Sequence, residues 1–451
     1  MIRLALPIYV ELLTAVVAVG VIDLLWVSGL GEAAIAAVTV ATTAEYLAYG
    51  LFLAVPTGVT VLIGRRDGNA PLSPVIRTGW VLWAAFSLAI AVPGVLLREP
   101  LAALFTDSPA LTADFFLVSL AGLPVFFAQT VVDGVMKGLG NTKIPMRNAL
   151  ICNALVIALD PLFIYGLGLG AQGAAVATVL ARLVTLAIAV QSVVRLRAPA
   201  QSPGRPSGGS PSQPSGGSSG QSPRHGRGQG RRQGHGRGLV AGEVIRTGLP
   251  MSGDFLARSL VGMALVEIVA GFGTAELAGY GIGQKIMLAG VMAFYALRQA
   301  AMIRTARSEP VGSPLWLGLG SGALVAVVLN LTAVPVTGLF TGDPAVAVGF
   351  LRWMTLYLVP FGGLIAVGGV LQASGRGSRL LAATLAGFAV QLPLAYLLSS
   401  WLGVTGVWLS MAVGASVSLA GALVPRAGAP GRARGRAPRS TRTAAGPPSG
   451  R

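Results

Sequence analysis

Ionisable side chains within the long apolar stretches of this sequence are the first candidates for chemistry. Asp23 and Asp160 each lie deep within such a stretch, and Glu45 and Asp133 lie within two others. A charged carboxylate is costly in hydrocarbon, so an acid kept there usually takes part in moving ions or protons. Both histidines of the sequence lie in a polar Gly/Arg stretch instead. Carboxylates are therefore the side chains of the apolar part that could carry a proton.

The composition indicates that these apolar stretches cross a membrane. Of the 451 residues, 53% are hydrophobic and only 11% are charged, whereas about 25% are charged in ordinary soluble domains. A helix that spans the bilayer needs about 20 apolar residues, so the hydrophobic residues suffice for about twelve spans. The single cysteine, Cys152, excludes an internal disulfide framework. These features exclude a soluble enzyme and indicate a polytopic membrane protein.

Twelve apolar runs are visible, and the charges that follow them alternate. The runs lie near residues 4–28, 34–63, 76–97, 114–136, 146–168, 171–195, 246–271, 277–303, 314–338, 348–371, 380–400 and 404–425. Even-numbered runs lead into basic residues, among them Arg65 and Arg66 after the second, Lys137 and Lys143 after the fourth, and Arg298, Arg304 and Arg307 with the eighth. Odd-numbered runs lead into acidic residues or uncharged turns. Because basic loops stay in the cytoplasm, we predict twelve transmembrane helices with both termini cytoplasmic.

The formal net charge of +17 is concentrated in two segments. Residues 198–240 and 426–451 are rich in Gly, Pro and Arg and contain no acidic residue. Such segments cannot bury a core, so we predict a disordered cytoplasmic linker at 198–240 and a disordered basic tail at 426–451. Their charge agrees with the positive-inside rule and does not require a nucleic-acid partner. Contact with RNA or with anionic lipid is the alternative.

Short patterns recur between the two halves of the sequence. The matched pairs are 104–109 with 339–344, Gly140 with Gly375, 169–173 with 402–406, Gly31 with Gly273, and Glu11 with Asp254. Each half holds six spans and starts on the cytoplasmic side, which makes the halves parallel repeats. We therefore predict an all-α membrane protein of two six-helix lobes related by a pseudo-two-fold axis, the N-lobe at 1–197 and the C-lobe at 241–425. Two facing lobes are typical of an alternating-access carrier.

Several of these motifs resemble a known family. The first-helix motif of the multidrug and toxic compound extrusion (MATE) family is similar to residues 21–31, VIDLLWVSGLG. Its fourth-to-sixth-helix signature is similar to residues 137–146, KGLGNTKIPM, followed by LDPLFI at 159–164. The resemblance covers the chain apart from the linker and tail, and the N-lobe aspartates are most similar to the DinF-like branch. It implies secondary active export of organic cations or amphipathic compounds, driven by H⁺ or Na⁺ entry, with no cofactor.

The resemblance also implies roles for individual residues. In the family, the positions of Asp23 and Asp160 supply the proton or sodium site of the N-lobe, and Thr178 matches a threonine of the sodium site. Asn153 lies two helical turns before Asp160 on the same face. The family often has an asparagine one turn before this aspartate, where this sequence has a valine, which favours protons over sodium. A structural role, such as an ion pair with Arg182, is the alternative.

Other polar residues of the spans could line a substrate cavity. Glu45, with Tyr46 and Tyr49 nearby, could face a cationic substrate, since aromatic faces attract cations. Gln129 and Asp133, one turn apart, could line the same cavity or lie at its cytoplasmic rim. The rings could equally serve packing.

In the second half, Arg258, Glu267 and Lys285 could form a buried ion pair or a second coupling site. The sequence alone does not decide between a structural and a functional role for these three residues.

Taken together, the sequence predicts a monomeric multidrug antiporter of the cell membrane. Its expected partners are drug-like small molecules and the lipid bilayer, with no nucleic acid. The chain has no phosphate-binding loop motif, so transport would draw on an ion gradient. A flippase for a lipid-linked precursor is the alternative, although the lobes carry few basic residues at membrane depth. A prenyl transferase would need closely spaced acids, which the sequence lacks.

Overall fold

The computed structural model describes residues 1–18, 22, 25–27, 29–67, 70–103, 109–197, 239–340 and 344–424. Within these ranges the chain is helical apart from short turns. Asp23, nearly all of the predicted linker and the predicted tail lie outside them. So do parts of the repeated motif at 104–109 and 339–344.

The helices are numbered here in chain order. The first half contains α1 (Ile2–Leu12, continued by a π-helical segment over Leu13–Ala18), α2 (Glu32–Phe52), α3 (Ala54–Arg66), α4 (Ser73–Leu96), α5 (Arg98–Ala103), α6 (Pro109–Gly138), α7 (Lys143–Pro161, continued by a π-helical segment over Leu162–Gly166) and α8 (Ala171–Arg197). The second half contains α9 (Ala241–Ala270), α10 (Thr274–Ala306), α11 (Pro314–Thr337), α12 (Ala345–Ala373), α13 (Gly377–Leu402) and α14 (Val404–Leu423).

Most of the predicted spans are present as long apolar helices. Among the described residues, nine helices are long and apolar enough to cross a membrane, and α2 with α3 forms a tenth, bent span. The two predicted spans that remain belong to α1 and α9. The run that begins with α1 extends into residues outside the described ranges. Helix α9 is 30 residues long, enough to cross the bilayer, but it carries five charged residues that lower its hydropathy.

One predicted span is broken. The apolar run at 34–63 forms two helices, α2 and α3, that meet at an angle of 41°. Pro56 explains the position of the break, because a proline ring clashes with the carbonyl four residues earlier, here that of Phe52. Helix α2 ends at Phe52. The short helix α5 is a further element that the apolar pattern did not predict.

The turns of the two halves share their backbone geometry. Gly140 and Gly375 have φ angles of 80° and 78°, and Gly170 and Gly403 have φ angles of 57° and 60°. Residues that carry a side chain rarely adopt a positive φ, which explains why glycine occurs at both members of each pair. Each half also has its own hydrophobic core. The internal repeat inferred from sequence is therefore also a repeat of structure.

The two lobes meet at one side of the molecule, which we call the basic side because it carries Arg65, Arg66, Lys137, Arg304 and Arg307. Glycines allow the backbones to touch there. A Cβ added to Gly248 of α9 would collide with the carbonyl of Ala54 in α3, and one added to Gly58 would collide with the carbonyl of Val244. Small residues at such crossings let membrane helices approach closely.

Helix α1 also crosses from the N-lobe to the C-lobe on the basic side. Ala5 and Ile8 of α1 form a small buried cluster with Ala296, Ala300 and Ile303 of α10. Among the described residues, the hydrogen bonds, ion pairs and ring contacts between the lobes lie between the basic side and the midpoints of the helices. The structure is thus that of two lobes closed against each other at the basic side.

Closure at the basic side can be tested with a disulfide. A Cβ placed on Gly64 lies 2.9 Å from the Cβ of Ala306 in the other lobe. In a disulfide the two Cβ atoms are about 3.5–4.5 Å apart, so a small shift of the helices is enough to form one. We expect Gly64→Cys/Ala306→Cys, made in a Cys152→Ser background, to cross-link on mild oxidation. A protease site inserted between residues 198 and 238 provides the readout, because the cut halves then stay together on a non-reducing gel.

Each single-cysteine variant serves as the control and should give separated halves. Separated halves from the oxidised double variant would show that the lobes do not meet as described.

Candidate ion-coupling and substrate sites

The predicted coupling residues lie inside the N-lobe where the structure describes them. Asp160, at the end of α7, is fully buried, and Asn153 and Thr178 are also buried. Helix α7, which carries the first two, packs against α8, which carries Thr178. Asp23, the fourth predicted residue, lies outside the described ranges.

Two of these residues have polar atoms without partners. Among the described residues, neither amide atom of Asn153 forms a hydrogen bond, nor does the hydroxyl of Thr178. A buried polar group without a partner costs about 1–3 kcal/mol. Packing alone gives no reason to keep such groups, so they mark this part of the N-lobe as a candidate functional site.

Local backbone irregularity surrounds Asp160. Pro161 follows it directly, and the chain then continues as a π-helical segment over Leu162–Gly166. Such segments are rare and are often found at functional sites. The α1 π-helical segment, Leu13–Ala18, packs against α7 as well. Both N-lobe helices that were predicted to hold the coupling acids thus depart from regular helical geometry.

Glu45 has a cationic partner within its own lobe. The Arg182 guanidinium lies 3.5 Å from the Glu45 carboxylate, and its carbon is 4.5 Å from the centroid of the Phe126 ring. Arg182, proposed from sequence as a partner for Asp23 or Asp160, therefore pairs with Glu45. Of the two predicted tyrosines, Tyr46 is 40% exposed. Tyr49 packs on Phe126 with ring centroids 5.3 Å apart.

Gln129 and Asp133 belong to a separate polar cluster between α1 and α6. The Gln129 amide donates to both Asp133 carboxylate oxygens, at 3.1 and 3.3 Å. Lys137, one turn further toward the basic side, lies 2.7 Å from Glu11 of α1. This cluster joins α1 to α6 near the basic side.

The C-lobe contains a charged network that the sequence analysis did not foresee. Asp254 of α9 accepts hydrogen bonds from Arg258, one turn later, at 3.1 and 3.3 Å. It also accepts one from Arg298 of α10 at 2.9 Å. Both the Asp254 and the Arg298 side chains are only 2% exposed. Asp254, the repeat counterpart of Glu11, thus anchors its lobe's first helix to a neighbouring helix, as Glu11 does.

Two expectations for charged residues of the C-lobe are wrong. Arg298 was assigned to a basic loop, but α10 continues to Ala306 and holds Arg298 within the lobe. The predicted buried ion pair of Glu267 with Arg258 or Lys285 does not form, because Glu267 and Lys285 are both exposed. The one available sequence signal was the spacing of Asp254 and Arg258, which places them on one helical face. The position of Arg298 depends on how α10 and α12 pack.

Arg258 also borders a cavity inside the C-lobe. The cavity has a volume of about 210 Å³ and lies between α9, α10, α12, α13 and α14. Its polar lining consists of Arg258, Gln284, Gln391 and Ser418, and its aromatic lining consists of Tyr295, Tyr357, Phe361 and Phe388.

A two-lobe bundle of membrane-spanning helices, with buried charges inside each lobe and no strands among the described residues, is typical of membrane carriers. Comparison with known families identifies the family of carriers to which the chain belongs. The MatE family model matches residues 7–162 and 250–397, one stretch in each lobe. The chain belongs to the MatE family, and the resemblance found in the sequence is confirmed. It is a membrane transporter and not an enzyme.

Similar proteins and structures agree with this assignment. The "Probable multidrug resistance protein YpnP" of Bacillus subtilis is 22% identical, with 86% of each chain covered. The "FAD transporter" of Shewanella oneidensis is 23% identical, covering 92% of this chain and 90% of that one. A solved outward-facing structure of a multidrug resistance MATE family transporter superposes with a TM-score of 0.76 at 21% identity, covering 93% of this chain and 92% of that one. The predicted twelve-helix, two-lobe fold is therefore confirmed.

The C-lobe network gives a prediction for stability. Asp254→Asn removes the carboxylate that both arginines contact and leaves their charges uncompensated. Removing one member of a buried ion pair typically costs about 3–5 kcal/mol. We expect a large drop in the thermal unfolding midpoint of the detergent-solubilised protein. Glu267→Gln, an exposed acid on the same helix, should change stability by less than about 0.5 kcal/mol. Equal midpoints for the two variants would contradict the proposed role of the network.

Proposed function

We propose that this protein exports drug-like molecules from the cytoplasm in exchange for protons, with Asp160 and Asp23 as the proton carriers. The observation that carries the proposal is the fully buried carboxylate of Asp160, inside a lobe that spans the membrane. Such an acid in the membrane interior is a functional candidate by default. The names of the relatives, which include multidrug resistance proteins and a FAD transporter, support export of organic molecules.

The geometry of α7 favours protons over sodium ions. Asn153 and Asp160 are seven residues apart, or about 10 Å along the helix axis. Hard cations such as Ca²⁺ bind oxygen at about 2.3–2.6 Å, so two ligands of one ion lie within about 5 Å of each other. Val156, one turn before Asp160, is buried and offers no oxygen. A proton needs only the carboxylate. Sodium bound by Asp23 and Asp160 is the alternative that the experiment below separates.

The proposed mechanism is alternating access. A drug binds in the cleft between the lobes while the cleft is open to the cytoplasm, and the lobes then close at that side. Protonation of Asp160 and Asp23 from the outside changes the N-lobe and releases the drug. A proton can drive this step only by binding the two conformations with different affinity.

Two ion pairs between the lobes act as a lock in this scheme. Arg66 lies 2.7 Å from Glu243, and Arg307 lies 2.5 Å from Asp67. Hydrogen bonds to Glu309 and then to Asp67 raise the pKa of Arg307, although an arginine is charged at neutral pH even without them. The lock must open whenever the cleft opens toward the cytoplasm.

We further propose an orientation in the membrane and a monomeric state for this protein. The basic side faces the cytoplasm by the positive-inside rule, which places both termini there. The protein then acts as a monomer in the cell membrane, with residues 198–240 as the linker between the N-lobe at 1–197 and the C-lobe at 241–425. Residues 426–451 form the cytoplasmic tail. A lipid-linked flippase is less favoured, because the lobes carry few basic residues at membrane depth and one of them, Arg182, is engaged by Glu45.

If these two ion pairs hold the lobes closed, removing them should make the cleft open toward the cytoplasm more often. Asp67→Asn/Glu243→Gln removes both ion pairs, and each exposed pair contributes about 0.2–1 kcal/mol, so the open population should rise roughly 2- to 30-fold. We would measure the rate at which a water-soluble maleimide labels Ala306→Cys in a Cys152→Ser background. Glu99→Gln/Asp114→Asn, acids remote from the interface between the lobes, is the matched control. Equal labelling rates in the two double variants would contradict the lock.

The central test of the proposal is efflux of ethidium from purified protein in liposomes. Proton and sodium gradients are imposed separately, and we expect efflux to follow the proton gradient. Asp160→Asn should reduce it to the level of protein-free liposomes, because the amide cannot exchange a proton. Asp114→Asn makes the same change at an exposed position of α6 and should transport normally. Efflux that follows only the sodium gradient, or that survives in Asp160→Asn, would refute proton coupling at Asp160.

A further inference from the structure

The interior of the C-lobe carries an uncompensated positive charge. Arg258 and Arg298 share one carboxylate, that of Asp254. Within the described part of the chain, no other carboxylate lies within 4.0 Å of either guanidinium. Nη2 of the buried Arg298 forms no hydrogen bond there either. A buried charge is stable only when it is paired, so this network favours a second anion nearby.

The cavity beside this network exposes part of the Arg258 guanidinium. Nε and Nη2 of Arg258 donate to Asp254, and Nη2 also lies 3.4 Å from the Thr384 hydroxyl. None of the hydrogen bonds among the described residues uses Nη1, and Arg258 lines the cavity. The other polar lining residues are neutral, and no acidic side chain among the described residues lines the cavity. A cation entering it would meet only positive charge, whereas an anion would be attracted.

The walls of the cavity suit a flat apolar ring. The guanidinium carbon of Arg258 lies 5.1 Å from the ring centroid of Phe361 and 5.8 Å from that of Phe388. Tyr357 stacks on Phe361 with centroids 4.7 Å apart. The cavity has a volume of about 210 Å³. An engineered cavity of about 150 Å³ holds a benzene molecule. One ring with one small acidic group therefore fits.

We propose that this cavity binds a single-ring aromatic anion, a carboxylate or sulfonate that Arg258 holds through Nη1, and that such an anion is a transported substrate. The inference rests on the proposed export function, because it adds a substrate class to that carrier. It also departs from the organic cations expected from the sequence.

Binding is tested on the full-length protein in lipid nanodiscs with radiolabelled benzenesulfonate, a permanent anion. Benzenesulfonamide and phenyltrimethylammonium are the competitors, since they carry a similar ring with no charge and with a positive charge. We expect unlabelled benzenesulfonate to displace the probe at concentrations at least tenfold lower than either competitor. Equal displacement by the three compounds would overturn the proposal.

Three variants link binding to the cavity. Arg258→Gln removes the charge that faces the cavity but leaves Asp254 paired with Arg298, so the lobe stays balanced; binding should weaken at least tenfold. Arg352→Gln removes an exposed arginine of α12 that does not line the cavity, and binding should not change. Gly262→Leu fills the cavity, since a Cβ on Gly262 has no atom within 4 Å, and should abolish binding in a folded protein. Unchanged binding in Gly262→Leu would place the anion elsewhere.

Transport is tested in liposomes by exchange of the same probe, beside ethidium efflux in matched vesicles. Exchange of benzenesulfonate that is lost in Arg258→Gln supports the proposal. Ethidium efflux without benzenesulfonate binding would refute the anion site and leave the exporter intact. Binding without exchange would refute the anion as a transported substrate. Benzenesulfonate exchange without ethidium efflux would uphold the C-lobe site and refute export of cations.

Discussion

A charged side chain in the membrane interior needs a group nearby that offsets its charge, and this cost shapes both lobes of the carrier. In the N-lobe, Glu45 has Arg182 and Glu11 has Lys137. In the C-lobe, one aspartate serves two arginines. Charges that are fully offset hold helices together and do not need to change during transport. On the proposed account, the buried Asp160 binds and releases a proton, and Arg258, which shares one carboxylate with Arg298, binds a substrate anion.

Comparison of the two halves of the repeat also separates structural from functional acids. Glu11 and Asp254 occupy equivalent places in the repeat, and each connects the first helix of its lobe to a neighbouring helix through a basic residue. Asp160 has no counterpart in the matched motifs of the second half. An acid that is present in only one half is a natural place for a coupling step, because the two lobes must respond differently to the same ion. The lobes meet through glycine contacts and exposed ion pairs at the basic side, which can separate at modest cost.

Much of this architecture could be predicted from sequence, because membranes impose simple rules. Apolar runs and the alternation of basic loops give the spans, and the glycines with positive φ mark the turns of the repeat. The break at Phe52 could also have been found, since Pro56 lies four residues later. The buried position of Arg298 could not be predicted from the sequence. Its burial depends on the close approach of α12, where a Cβ added to Gly369 would collide with the Arg298 carbonyl. Contacts between distant helices leave no local pattern in the sequence.

Simultaneous recording of ethidium and proton movement would test the central claim most directly. The measurement uses sodium-free liposomes that contain the purified carrier and a pH-sensitive dye, with no gradient imposed except that of ethidium. The account predicts that ethidium moving down its gradient drives protons in the opposite direction, until a pH difference opposes further exchange. Ethidium movement with no opposing proton flux, or movement that begins only when sodium is added, would contradict the claim that a buried carboxylate exchanges protons for drug.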